Sequence, residues 1–201
     1  DDNFANHHGV DPGSLLRAAA QILKTGRIQT GGSTITMQVA KNFFLSSERS
    51  FSRKANEILL ALQIERELTK DEILELYINK IYLGNRAYGI EAASQVYYGK
   101  SITEISLAEM AMIAGLPKAP SRFNPIANPT RSMERRNWIL GRMLKLGRIS
   151  EQAYQDAIAE PLTARLHISA PDIYAPYIAE MARAEMVGKF GGQAYTDGYS
   201  V

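Results

Sequence analysis

The sequence predicts a mainly α-helical fold, and three observations carry that expectation. Two capping boxes, Thr69 with Glu72 and Ser106 with Glu109, each stand just before an apolar run. Elsewhere apolar residues recur at helical spacing between Gly, Pro and Ser punctuation. No stretch reads convincingly as a strand, and there is no repeat or low-complexity tract.

Taken in order, Asp11-Pro12 is an N-cap followed by proline in the first turn, and LLRAAAQILKTG runs to a stop at Gly26. A second helix opens at Ser33 or Thr34 and continues to about Leu45, and a third covers about Phe51 to Leu68. Thr69 starts a fourth, ILELYINKIYLG, which stops at Gly84. A shorter helix covers about Gly89 to Tyr98, and Ser106 leads into MAMIAGL. Four prolines from Pro117 to Pro129 make the next segment an ordered, non-regular loop. Thr130 to Leu146 is helical, and Ser150 caps a short helix that ends before Pro161. A looser segment follows, then an amphipathic helix over about Ala175 to Phe190 and a Gly-rich tail.

At 201 residues, with 45% hydrophobic and 22% charged residues, the chain is long enough for one domain with a real core and part of a second. A net charge of +2 argues only weakly for anionic partners. The absence of cysteine removes disulfides and Cys-based metal sites. The histidines His7, His8 and His167 include no H-x-x-x-H pair, which disfavours a His-based zinc site. Gly31-Gly32-Ser33-Thr34 lacks P-loop spacing, and no G-x-S-x-G elbow is present. Basic residues are not interleaved with aromatics along a face, so nucleic acid is not expected as a partner. No apolar run reaches transmembrane length. Without a Met at Asp1 or a stop pattern at its end, the chain reads as a piece of a longer protein.

The stretch from Gly31 to Glu57, GGSTITMQVAKNFFLSSERSFSRKANE, is the richest in chemistry. Thr34, Gln38 and Lys41 fall on one helix face. Arg49, Arg53 and Lys54 then cluster before Glu57. A helix N-terminus, several cations and one carboxylate make a site for a phosphorylated substrate, because free amides and the helix dipole favour an anion and the cations add directed donors. Alone, Arg53 and Glu57 would read as a solvated i,i+4 pair, and the GGST start as a simple cap.

Five blocks in order tip that balance: DDNFANHHG, GGSTITMQVAKN, RKANEILLALQIE, ELYINKIYLGNRAYGIEAASQVYYGK and AGLPKAPSRFNP. Together they resemble the peptidoglycan glycosyltransferase domain (glycosyltransferase family 51) of bifunctional, class A penicillin-binding proteins. The resemblance covers about Asp1 to Ile149, and APYIAEMARAEM with AYTDGY resembles the start of the linker toward a transpeptidase domain. It implies a glycosyltransferase domain over 1–160 and linker over 161–201, with a lysozyme-like helical fold and a smaller membrane-facing lobe. It implies polymerisation of lipid II by inverting displacement at the anomeric carbon, with release of undecaprenyl pyrophosphate.

The same resemblance assigns roles. Glu57 is implied as an essential carboxylate near the leaving group or a metal. Lys41, Arg49 and Lys54 match phosphate-contacting positions. Arg53, one turn before Glu57, would keep it ionised. Thr34, Gln38 and Asn42 match the polar lining of the cleft, which Ser33 would also face. Asp1, Phe4 and His7 match first-motif positions that shape it. The motif's general-base glutamate would stand immediately before Asp1, outside the chain as given. A divalent ion, Mg or Mn, is implied, and no organic cofactor. The implied partners are lipid II, the growing lipid-linked glycan, the membrane surface and other cell-wall synthesis proteins, with moenomycin as inhibitor. The implied location is the outer face of the bacterial cytoplasmic membrane, with an anchor upstream. The segment LLRAAAQILKTGRIQTGG and VAKNFFLSS, with Lys24 and Arg27, is expected to touch the interface. A lysozyme-like hydrolase or lytic transglycosylase would use a similar carboxylate but not the cation cluster. A non-catalytic helical envelope module is the remaining alternative.

Overall fold

The structure is a computed structural model that describes residues 1, 3–25, 32–45, 50–167 and 176–195. It has two compact units, Asp1–His167 and Ile168–Val201. Among the described residues there is no sheet, only isolated bridges between His8 and Val10 and between Tyr82 and Tyr88.

In the first unit, α1 (Pro12–Thr25) starts behind Asp11, whose carboxylate accepts from the Gly13 amide at 3.1 Å and the Ser14 hydroxyl at 2.5 Å. The next helix, α2 (Ile35–Phe44), is capped by Thr34, whose Oγ1 accepts from the Met37 amide. Ser33, the other residue able to open this helix, turns elsewhere. Ser50 caps α3 (Phe51–Glu67) in the same way. Both expected capping boxes close, on α4 (Lys70–Lys80) at Thr69 and Glu72, and on α6 (Leu107–Gly115) at Ser106 and Glu109. Between them lies α5 (Ile90–Tyr98). A single 3-10 turn, Leu116–Lys118, is the regular part of the proline-rich stretch that leads to α7 (Pro129–Lys145) and α8 (Glu151–Ala159).

Two cores form. Ile81, Leu83, Tyr97, Met112, Ile113 and Leu116 bury the contacts around α5 and α6. Ala108, Ala111 and Ala157 let α6, α7 and α8 approach closely around Leu140. On the other side α2 packs on α3 and α4, burying Met37, Val39, Ala40, Ala61 and Ile73. Residues 161–167 belong to this unit, since the amides of Arg165 and His167 donate to Tyr97 O at 3.0 Å and Val96 O at 2.8 Å.

The second unit contains α9 (Pro176–Phe190) and a 3-10 turn, Gly191–Tyr195, in the stretch read as Gly-rich tail. No helix among the described residues is long and apolar enough to cross a membrane.

Candidate active site

The head of α2 is where the chemistry-bearing side chains meet. Glu57 sits in the second turn of α3 and is 2% exposed. The Lys54 ammonium donates to Glu57 Oε1 at 2.5 Å and to Ser33 Oγ at 2.7 Å, tying α3 to the residue before the α2 cap. The expected partner of Glu57, Arg53, makes no ion pair with it, and its Nε is buried without a hydrogen-bond partner among the described residues. Lysine fits the position because one ammonium has three donors and serves both oxygens at once.

The start of the chain straps across the same helix. Asp1 Oδ2 accepts from the Ile35 amide at 2.9 Å and lies 3.0 Å from His7 Nε2. A carboxylate on a first-turn amide is where the helix dipole favours negative charge. Thr34 donates from Oγ1 to Gly9 O at 2.6 Å while capping α2. Gly9 takes φ +84°, and a Cβ there would lie 2.8 Å from Ala61 O, so only glycine lets the strap reach α3.

Behind the strap, Lys70 donates to His7 O at 2.5 Å and to Glu65 Oε1 at 2.6 Å, and its ammonium lies 4.7 Å from the centre of the Phe4 ring. Thr36 donates to the same Glu65 oxygen at 2.5 Å. Burial alone would raise the Glu65 carboxyl, but hydrogen bonds from Lys70 and Thr36 and the ammonium charge outweigh it and hold it below its usual value. His7 is buried against the edge of Phe4, with Nδ1 unpartnered among the described residues. Burial, then the charge of Lys70, hold its pKa below the usual histidine value.

A cavity of about 630 Å³ opens beside the α2 head. Of the expected residues, Asp1, Ser33 and Thr34 line it, and the Lys54–Glu57 pair stands directly behind Ser33. The opposite wall is α1, through Ser14, Arg17 and Gln21, with Arg17 donating to Ser14 Oγ at 2.6 Å. Sequence reading missed these three, although their i, i+3, i+7 spacing marks a polar helix face. Gln38 is half-buried further along α2, while Lys41 and Asn42 are exposed there, and none of the three lines the cavity. Arg49 and residues 26–31, which include Arg27, lie outside the described residues. Among the described residues, no three His, Asp or Glu side chains come together to hold a metal ion.

Residues 1–144 match the transglycosylase family. The chain belongs to that family. Over all 201 residues it is 77% identical to penicillin-binding protein 1A of Pseudomonas aeruginosa and 52% identical to penicillin-binding protein 1A of Escherichia coli. It spans about a quarter of the length of these curated relatives, 24% of each. A crystal structure of penicillin-binding protein 1A from Haemophilus influenzae matches 80% of the chain and 21% of that protein, at TM-score 0.53 and 42% identity. The transglycosylase match takes in the whole α2 head and its cavity, whereas α8 and α9 follow it.

Proposed function

We propose that this transglycosylase chain is a peptidoglycan glycosyltransferase unit that polymerises lipid II into glycan strands and releases undecaprenyl pyrophosphate. The observation that carries the reading is the Ser33–Lys54–Glu57 bridge at the head of α2, beside a polar cavity. The pyrophosphate of the growing chain would meet the α2 head and Lys54, with Lys41 and Arg49 adding charge. Gln38, Asn42 and Arg53 belong to the same substrate-binding set. Glu57 holds the ammonium in place, so the cation is ordered before charge develops on the leaving group.

The chemistry is one inverting displacement. The acceptor hydroxyl loses its proton to the glutamate that the family motif places just before Asp1, and its oxygen bonds to the anomeric carbon. The bond from that carbon to the lipid pyrophosphate breaks, and the pyrophosphate leaves with the electron pair. Asp1 and His7 position the strap that would carry this base. A divalent ion, Mg or Mn, would be held by Glu57 together with the substrate, and it would supply positive charge to the leaving group.

A polyprenyl substrate leaves the bilayer at about 0.8 kcal/mol per methylene, so the enzyme must come to the membrane. Leu16 (71% exposed) and Phe44 (64%) are the apolar side chains suited to a membrane-facing lobe of a lysozyme-like fold at the outer face of the cytoplasmic membrane. Other cell-wall synthesis proteins would be its partners.

The test is glycan polymerisation from lipid II by the longer protein that carries this chain and the preceding glutamate. Glu57→Gln should lower turnover by at least ~10²-fold, the low end for an acid–base or charge-stabilising group. Near-normal polymerisation would remove Glu57 from the catalytic set.

A further inference from the structure

We infer that the outer face of α7 carries a second site, a cationic and aromatic cleft that binds a glycan strand through the carboxylates of its peptides. The inference rests on the polymerase reading above. The cleft, about 480 Å³, is lined by Lys118, Phe123, Arg131, Glu134, Arg135 and Trp138. It shares no lining residue with the cavity at the α2 head.

The spacing of Arg131, Glu134, Arg135 and Trp138 puts them on one face of α7. Trp138 is 58% exposed, a large aromatic surface left to water. The Arg135 guanidinium lies 4.3 Å from the Trp138 ring centre and 6.0 Å from that of Phe123. Its stem crosses α6 at Gly115, where a Cβ would come within 3.0 Å of Arg135 Cγ, so the glycine makes room for it. Arg135 Nε is buried with no hydrogen-bond partner among the described residues. The guanidinium is therefore held close to two aromatic rings, as a pre-organised donor.

Charge and shape together select the ligand. Lys118 and Arg122 also approach the Phe123 ring, at 5.9 and 5.8 Å, so three lining cations, with Arg122 beside them, face the one lining acid, Glu134. Neither Arg122 nor Arg131 has a carboxylate partner among the described residues. A small anion would have no use for an exposed indole, and an uncharged sugar would have no use for the cations. A glycan strand with stem peptides supplies both, a pyranose C–H face for Trp138 and carboxylates for the guanidiniums. The proposed reaction makes that polymer on this same chain.

Trp138 is the only tryptophan in the sequence, so its fluorescence reports on this cleft alone. We would titrate the 201-residue chain with three probes: lipid-free glycan strands carrying stem peptides, the same strands stripped of peptides, and polyglutamate. The peptide-bearing strands should give a saturable change in Trp138 emission, with the other two at least roughly tenfold weaker. Arg135→Ala should weaken binding about tenfold or more, and Arg135→Lys should recover only part of it. Trp138→Ala, at an exposed site, should stay folded and lose binding by calorimetry. No emission change, an equal response to stripped strands, or tighter binding of polyglutamate would overturn the inference, the last by pointing to an acidic protein segment. Moenomycin binding by the same samples separates the two readings. Retained moenomycin binding with silent Trp138 rejects the α7 site alone, whereas loss of moenomycin binding rejects the lipid-pyrophosphate site at the α2 head.

Discussion

The Lys54 ammonium lies 2.5 Å from the Glu57 carboxylate, three residues further along α3. Glu57 is buried while Lys54 is about a third exposed, at 36%. Removing one partner of a buried pair leaves a desolvated charge, whereas removing both does not. Lys54→Ala should therefore destabilise the fold by ~1–2 kcal/mol, below the fully buried range because water reaches the ammonium. The double variant Lys54→Ala with Glu57→Gln should recover most of that loss. Urea unfolding of the four proteins in the cycle measures it, and additive losses would show that the pair is not coupled.

His7 gives the fold an acid-sensitive point. Its folded pKa is lowered, chiefly by burial and then by Lys70, so the folded state favours neutral imidazole. The unfolded chain then binds more protons below the unperturbed value of about 6.5. The stabilisation is complete above that pH and is lost as pH falls through it toward the folded pKa, at no more than ~1.4 kcal/mol per pH unit for one proton. Thermal unfolding between pH 7.5 and 5.5 should show a steeper loss in the wild type than in His7→Gln. Parallel pH profiles would rule His7 out as the cause.

Gly9→Ala tests the strap. Alanine would need φ +84° and would place its Cβ 2.8 Å from Ala61 O, a backbone atom that cannot swing aside. The conformational term alone is about 1–2 kcal/mol, and the close approach adds to it. A drop of at least ~2 kcal/mol in unfolding free energy is expected, together with faster exchange of the Ile35 amide that Asp1 holds.

The helices were legible because their signals are local. Thr69 with Glu72 and Ser106 with Glu109 cap their helices within four residues of sequence, and both boxes close. The site was legible as a cluster but not in its pairings. Arg53 and Lys54 are both one turn from Glu57, and Lys54 is the one that also reaches Ser33, the residue before the α2 cap. Asp1 meets the Ile35 amide across 34 residues of chain, a contact no local pattern encodes. The adjacent Arg135 and Arg136 look alike in sequence, yet one stacks on Trp138 and the other is 2% exposed inside the fold.

Arg136 is a structural cation. Its Nη1 donates to Glu160 O at 2.8 Å and its Nη2 to Ile158 O at 3.1 Å, satisfying carbonyls at the end of α8, while Nε reaches Asn137. A lysine ammonium cannot span that fork, so Arg136→Lys should leave at least one buried carbonyl unpaired and cost about 1–3 kcal/mol. Denaturant midpoints for Arg136→Lys and Arg135→Lys give the contrast, with the Arg135 change expected to cost less. Equal losses would contradict the split between buried and surface roles.

The last prediction separates binding from chemistry. Lys54 stands at the α2 head without any contribution from the residue before Asp1, and Lys41 and Arg49 are also within the chain. The 201-residue chain should therefore bind a phosphoglycolipid such as moenomycin. A charge-assisted hydrogen bond to phosphate contributes about 1.5–3 kcal/mol, so Lys54→Ala or Arg49→Ala should weaken binding roughly ten- to a hundredfold. Lys54→Ala also frees the Glu57 carboxylate to repel the phosphate, so it should be the more damaging of the two. A muramidase-like protein would instead prefer uncharged glycan and respond little to either change. Calorimetric titration of moenomycin and of a lipid-free, peptide-free glycan into wild type and both variants decides between them. Equal moenomycin affinity in all three proteins, or preference for the glycan, would reject a lipid-pyrophosphate site at the head of α2.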